Sequence, residues 1–145
     1  MNDSLVISCA VCGKRNRIPA AANGAPRCAS CHGPLPWLVE AVGANFAGIV
    51  RSPLLVLVDL WAPWCGPCRT IGPLVEQTGK DLAGRLKVVK VNVDVAPEIS
   101  QQFGVQGIPT LLLLRDGREV SRQVGALPGH ALRAWIDREL ARNVS

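Results

Sequence analysis

No tyrosine occurs among the 145 residues, and no apolar run approaches the length of a bilayer-spanning helix. The missing tyrosine carries no functional weight, whereas the missing span leaves no expectation of a membrane protein. Met1-Asn2-Asp3-Ser4 has no basic cluster, and Leu5-Val6-Ile7 is far too short for the apolar region of a secretory signal. The chain is therefore expected in the cytoplasm, a reducing compartment. Charged residues are few, at 19%, which excludes a disordered polyelectrolyte, and 48% apolar content suffices for one ordinary core. No segment repeats, with one exception: the spacing Cys-x-x-Cys occurs three times and uses all six cysteines. In a reducing compartment such pairs point to metal binding or catalysis rather than structural disulfides.

The formal net charge of +5 raises nucleic-acid binding as a function, and its distribution argues against it. Residues 1–36 carry +3, from Lys14, Arg15, Arg17 and Arg27 against Asp3. Four metal-bound thiolates and a divalent ion bring that segment to about +1. Elsewhere basic and acidic residues are interspersed, so no nucleic-acid partner is expected.

Composition divides the chain in two. Residues 1–36 hold four cysteines and many turn-formers, including Gly13, Pro19, Asn23-Gly24, Pro26, Gly33, Pro34 and Pro36. Residues 37–145 alternate apolar runs with helical patterns. Strands are expected at 37–41, 54–60, 86–93, 110–115 and 118–124, with helices near 44–50, at 66–82, 97–103 and 128–142. Asp116-Gly117 signals a hairpin between the last two strands. Gly72-Pro73 is expected to kink the second helix. This order implies an α/β fold with a mixed sheet covered on both faces.

Cys9-x-x-Cys12 and Cys28-x-x-Cys31 are separated by fifteen residues, the spacing of a four-cysteine zinc site. Two tight turns that each present two sulfurs can close a tetrahedron around Zn²⁺. About 36 residues cannot build a sufficient core alone, so a metal would explain how the segment folds. Two disulfides or four free thiols are the alternatives. His32 is treated as a bystander, because four cysteines already fill the coordination shell.

The third pair sits differently. Trp64-Cys65-Gly66-Pro67-Cys68 follows the apolar strand Leu54–Leu60 and opens a helical pattern. Cys65 thus falls at a helix N-terminus, where unpaired N–H groups and the helix dipole favour a thiolate. A second thiol one turn later can resolve the mixed disulfide that the first one forms. Asp59 interrupts the apolar strand six residues earlier, and a buried carboxylate with a raised pKa suits a proton acceptor for Cys68. Lys90, in Val88-Val89-Lys90-Val91, is a candidate charge partner for it. The bland alternatives are an Asp59 turned outward at the strand end and a Lys90 snorkelling from an edge. Pro109 at the start of a strand can form a rigid corner whose backbone pairs with an extended substrate. Trp64 reads as a docking surface and Trp61 as core.

Trp61-Ala62-Pro63-Trp64-Cys65-Gly66-Pro67-Cys68-Arg69, with Asp59, Lys90, Asp94, Pro109 and Gly125 at matching spacings, closely resembles thioredoxin over residues 37–145. The segment ahead of it, with Asn16-Arg17-Ile18-Pro19 between the knuckles, resembles the zinc-bearing bacterial thioredoxin 2 class. The resemblance implies a thioredoxin fold, a mixed five-stranded sheet flanked by helices, behind a small N-terminal zinc-ribbon-like domain. It implies that Cys65 is the nucleophile, Cys68 the resolving thiol and Asp59 the proton acceptor. It also implies a cis Pro109 and a substrate groove lined by Trp64, Gly66, Pro67, Ile108, Pro109 and Gly125. Oxidised protein disulfides would be the substrates, with thioredoxin reductase returning the electrons and NADPH as ultimate donor. No organic cofactor is expected to be bound, and a monomer is expected. Leu60 departs from the family, which usually has an aromatic residue there. Two rival functions stand beside this one: a binding module that uses the redox domain as a scaffold, and a redox-regulated holdase.

Overall fold

A computed structural model describes residues 4–21 and 25–142. Asp3 and the Asn23-Gly24 turn pair lie outside the described residues. The first 36 residues contain a hairpin that the sequence did not announce: β1 (Ser4–Ser8) and β2 (Arg15–Pro19) pair antiparallel, Val6 opposite Arg17 and Ile7 opposite Asn16. Both cysteine knuckles flank this two-stranded sheet.

From Trp37 onward the elements fall within two residues of the expected spans. They are β3 (Trp37–Glu40), α1 (Phe46–Val50), β4 (Leu55–Trp61), α2 (Gly66–Asp81) and β5 (Leu86–Asn92). Then come α3 (Pro97–Gln102), β6 (Thr110–Arg115), β7 (Arg118–Val124) and α4 (Gly129–Ala141). The sheet order is β3-β5-β4-β6-β7, with β3, β5 and β4 mutually parallel and β6 and β7 antiparallel. Asp116 and Gly117, at φ 51° and 77°, make the β6–β7 connection with both central residues left-handed, as a type I′ turn requires. Helix α2 continues through Pro73 as a single element of 16 residues.

Alternation along β4 assigns each side chain to a layer. Leu55 and Leu57 face α2 and α4, packing with Val88, Leu111 and Leu113 against Ile71, Val75, Leu132, Trp135 and Ile136. Val56, Val58 and Leu60 face the other way, toward Phe46 and Ile49 of α1 and Ile99 of α3. Leu60, the family departure, is fully buried in this second layer. That layer also holds Ile7, Cys9, Ala20, Cys28 and Leu35, so the four-cysteine segment packs onto the sheet.

Lys87 ties the two parts together. It is fully buried on β5, opposite Trp37 of β3, and its Nζ sits 3.8 Å from the centroid of that indole. The same Nζ donates to the carbonyl oxygens of Ala20 and Ile49, each at 2.7 Å. Burial pushes its pKa down to about 8.

Candidate functional site

Cys65 caps α2. Its backbone is extended (φ −87°, ψ 111°), its Sγ accepts the Cys68 N–H at 3.2 Å, and Pro67 sits in the first turn, where its missing N–H costs nothing. Cys65 and Cys68 are both buried and joined as a disulfide, with Cα atoms 5.3 Å apart. Ala62 packs with them, and Trp61, Val93 and Ile108 close around the three. Trp61, expected in the core, is only partly buried and belongs to this wall.

The rim is apolar and fixed. Trp64 is 68% exposed, yet its Nε1–H donates to both carboxylate oxygens of Asp94, at 3.0 and 3.2 Å. Gly66 and Pro67 are exposed beside the disulfide. The Ile108–Pro109 bond is cis, and the Gly125 N–H donates to the Pro109 carbonyl at 2.8 Å, with Gly125 at φ 91°. Val95 and Val124 add exposed apolar surface at the ends of the two neighbouring segments.

Asp59 lies on the α2 side of β4, 1% exposed, in register with Lys90 of β5 and Leu111 of β6. Its carboxylate oxygens have no hydrogen-bond partner among the described residues. Burial pushes its pKa up to about 6, against the pull of the Lys90 charge and with a further push from Glu76. The Lys90 Nζ forms its ion pair with Glu76 of α2, at 3.8 Å, and lies 5.3 Å from the centroid of the Trp61 ring. A cavity of about 250 Å³, lined by Trp61, Cys68, Gly72, Glu76 and Lys90 among others, opens between Cys68 and that ion pair.

In the N-terminal segment the Sγ atoms of Cys9, Cys12, Cys28 and Cys31 all lie within 4.8 Å of one another. Cys9–Cys31 and Cys12–Cys28 approach to 3.6 and 3.5 Å and form no disulfide. A regular tetrahedron of 2.3 Å metal–sulfur bonds has edges of about 3.8 Å, so this cluster fits one metal ion. The Val11 and Ser30 N–H groups point at the sulfurs of Cys9 and Cys28, each at 3.4 Å. Cys28 is drawn down to about 6, first by the Cys31 N–H and against burial. Cys31, despite the Gly33 N–H, is pushed up to about 11 by the Cys9 sulfur and burial, so the crowded sulfurs divide their charge unequally. His32 is not in the cluster.

Residues 37–138 match the family model described as Thioredoxin. Among known proteins, thioredoxin of Haemophilus influenzae is 46% identical over 92 residues, which cover 63% of this chain and 86% of that protein. Thioredoxin 1 of Synechococcus elongatus is 44% identical with the same coverage. The chain belongs to the thioredoxin family. As such it is a thiol-disulfide oxidoreductase. Thioredoxin C-3 of Corynebacterium nephridii is similar over 140 residues at 38% identity, covering 94% of this chain and 96% of that protein. That longer match takes in most of residues 1–36, which the family model does not.

Glu76 and Lys87 escaped the sequence reading, and Asn16 entered it only as part of a resemblance, without a role. Asn16 is buried between the knuckles: its Nδ2 donates to the Lys14 carbonyl at 2.9 Å and to the Cys28 Sγ at 3.6 Å. Its Oδ1 accepts the Ala29 N–H at 2.9 Å. Glu76 reads as one more charge on a helix, and Lys87 as a strand-end lysine. Only their long-range partners distinguish them.

Proposed function

We propose that the chain is a cytoplasmic protein-disulfide reductase with a metal-binding unit at residues 1–36 and a redox unit at residues 37–145. The observation that carries this reading is the Cys65 sulfur at the N-cap of α2, receiving the Cys68 N–H beside a rim of exposed apolar surface. In the reduced protein, that N–H and the helix N-terminus stabilise the Cys65 thiolate. An oxidised protein docks along Trp64, Gly66, Pro67, Ile108, Pro109 and Gly125, its extended backbone beside the start of β6. The thiolate attacks one substrate sulfur, the substrate S–S bond breaks, and the other substrate sulfur leaves and takes a proton. Asp59 then accepts the Cys68 proton, the Cys68 thiolate attacks the Cys65 sulfur, and the second substrate thiol is released. The enzyme is left in the disulfide form, for thioredoxin reductase to return the electrons of NADPH.

Cys9, Cys12, Cys28 and Cys31 would hold one Zn²⁺, which supplies structural cross-linking of the two knuckles. A closed four-thiolate shell leaves no position for substrate, so the metal has no catalytic part. The unit acts as a monomer, without nucleic acid or membrane. Reduction of insulin disulfides tests the reading: the full chain turns over with a thiol or reductase supply, and Cys65→Ser abolishes turnover. Retained turnover in Cys65→Ser would end it, and a biological role that survives Cys65→Ser would favour the scaffold function.

A further inference from the structure

The Lys90 ammonium lies between two carboxylates that differ in every respect. Asp59 is its register partner on β4, buried and without a hydrogen-bond partner among the described residues. Glu76, one turn beyond Gly72 on α2, has a side chain 43% exposed, and it is Glu76 that the ammonium reaches. Gly72 lies beside that route, where a Cβ would meet Nζ at 3.8 Å, an ordinary contact distance. The Trp61 ring supports the ammonium from the side. The result is a lysine turned along the wall of the cavity that Cys68 also lines.

Among the described residues, other charge is kept out of this layer. Arg69 lines the same cavity, but its guanidinium is bound to the Pro63 carbonyl, at 2.7 Å from Nη2 and 3.1 Å from Nε. From β6 the facing residues are Leu111 and Leu113, and from α4 they are Leu132, Trp135 and Ile136. Lys90 and Glu76 are therefore the charges that decide how readily Asp59 holds a proton. A lysine drawn fully onto Asp59 would make it a salt-bridged carboxylate and a poor acceptor.

We propose that Glu76 is a positioning residue for the resolving step: it holds the Lys90 ammonium at the outer end of the cavity, off Asp59, and so keeps the buried carboxylate able to take the Cys68 proton. With Glu76 half-exposed and its carboxylate 3.8 Å from Nζ, the pair contributes little to stability, and its role is placement. This inference rests on the reading of Asp59 as the proton acceptor of Cys68. Within it, the proton passes from the Cys68 sulfur to an Asp59 oxygen.

The test follows the Asp59 carboxyl carbon by NMR through a pH titration of the full chain in its disulfide form. Glu76→Gln is expected to lower the Asp59 midpoint by about half a pH unit, as the ammonium relaxes toward Asp59. In a Lys90→Gln background it should lower the midpoint by clearly less, because only the direct push of the Glu76 charge is lost and no ammonium can relax toward Asp59. Glu76→Asp should restore the wild-type midpoint, and Lys90→Gln should raise it. In single-turnover resolution of a mixed disulfide on Cys65, the pH profile of Glu76→Gln should shift the same way. A Glu76→Gln midpoint at or above the wild-type value overturns the proposal, as does a resolution profile that fails to follow a lowered midpoint. Loss of the underlying reading gives a separate signature: Asp59→Asn would then leave the resolution profile unchanged, whatever the NMR midpoints do.

Discussion

Asp59 carries its charge where water cannot reach it, and the consequence is a pH-dependent stability. Its pKa is about 6 in the folded protein against an ordinary 3.8. Between those values the folded state binds more proton than the unfolded chain, so stability falls as pH rises through that window and stays lower above it. Two pKa units correspond to about 3 kcal/mol at neutral pH. Asp59→Asn should therefore stabilise the protein by about that amount at pH 7 and by nothing below about pH 4, while slowing the resolving step. Denaturant unfolding at the two pH values checks the first part and rapid mixing the second. Asp59 and Lys90 could be picked out in the sequence because a charge inside an apolar strand stands out. Lys87 occupies such a strand too, but its burial comes from Ala20, 67 residues away, and Ile49, 38 residues away. Nothing near it in the chain signals those carbonyls. Glu76 was hidden for the opposite reason, since a charged residue on an amphipathic helix looks like solvated surface.

Elements were read well where their hydrophobic period was long. The strands and helices after Trp37 emerged because apolar runs and helical stripes alternate over whole elements, and because Asp116-Gly117 marks its turn unmistakably. The β1–β2 hairpin did not emerge. Its strands are five residues each, and β2 alternates Arg15 and Arg17 with Asn16 and Ile18, a pattern without a strong apolar signal. That hairpin matters, because β2 delivers Asn16 to the sulfur cluster. With Oδ1 on the Ala29 N–H and Nδ2 on both the Lys14 carbonyl and Cys28, Asn16 spans the two knuckles. Partners of this kind around a metal set affinity by orienting its ligands. Asn16→Ala is expected to weaken metal binding by roughly 10- to 100-fold, measured by competition with a chromophoric chelator. Unchanged affinity would mean that the knuckle backbones alone set the geometry.

At the scale of the whole molecule, the four-cysteine segment and the redox fold share one apolar layer. Cys9, Ala20, Cys28 and Leu35 pack with Trp37, Ile49 and Val89, and Lys87 bonds across the same layer. Opening the sulfur cluster should therefore be felt by the sheet. Chelating the proposed metal from the full chain is expected to lower the unfolding midpoint of the α/β core itself, seen through tryptophan fluorescence and far-ultraviolet signals in a single transition. Two independent transitions, with the second unmoved, would show that the segments are uncoupled. The redox centre lies elsewhere on the sheet, at the α2 N-terminus and the start of β6. Metal loss is thus expected to act on stability before chemistry, with the two cysteines of α2 keeping their geometry as long as the core holds.

The central claim is that Cys65 and Cys68 have different jobs, one attacking substrate and the other releasing it. Trapping measures this directly. Each single Cys→Ser variant, at position 65 or 68, is mixed with an oxidised protein substrate and the products are separated without reductant and weighed by mass spectrometry. Cys68→Ser is expected to accumulate a one-to-one mixed disulfide through Cys65, and Cys65→Ser to accumulate none. Equal adducts from both variants, or an adduct only through Cys68, would contradict the assignment.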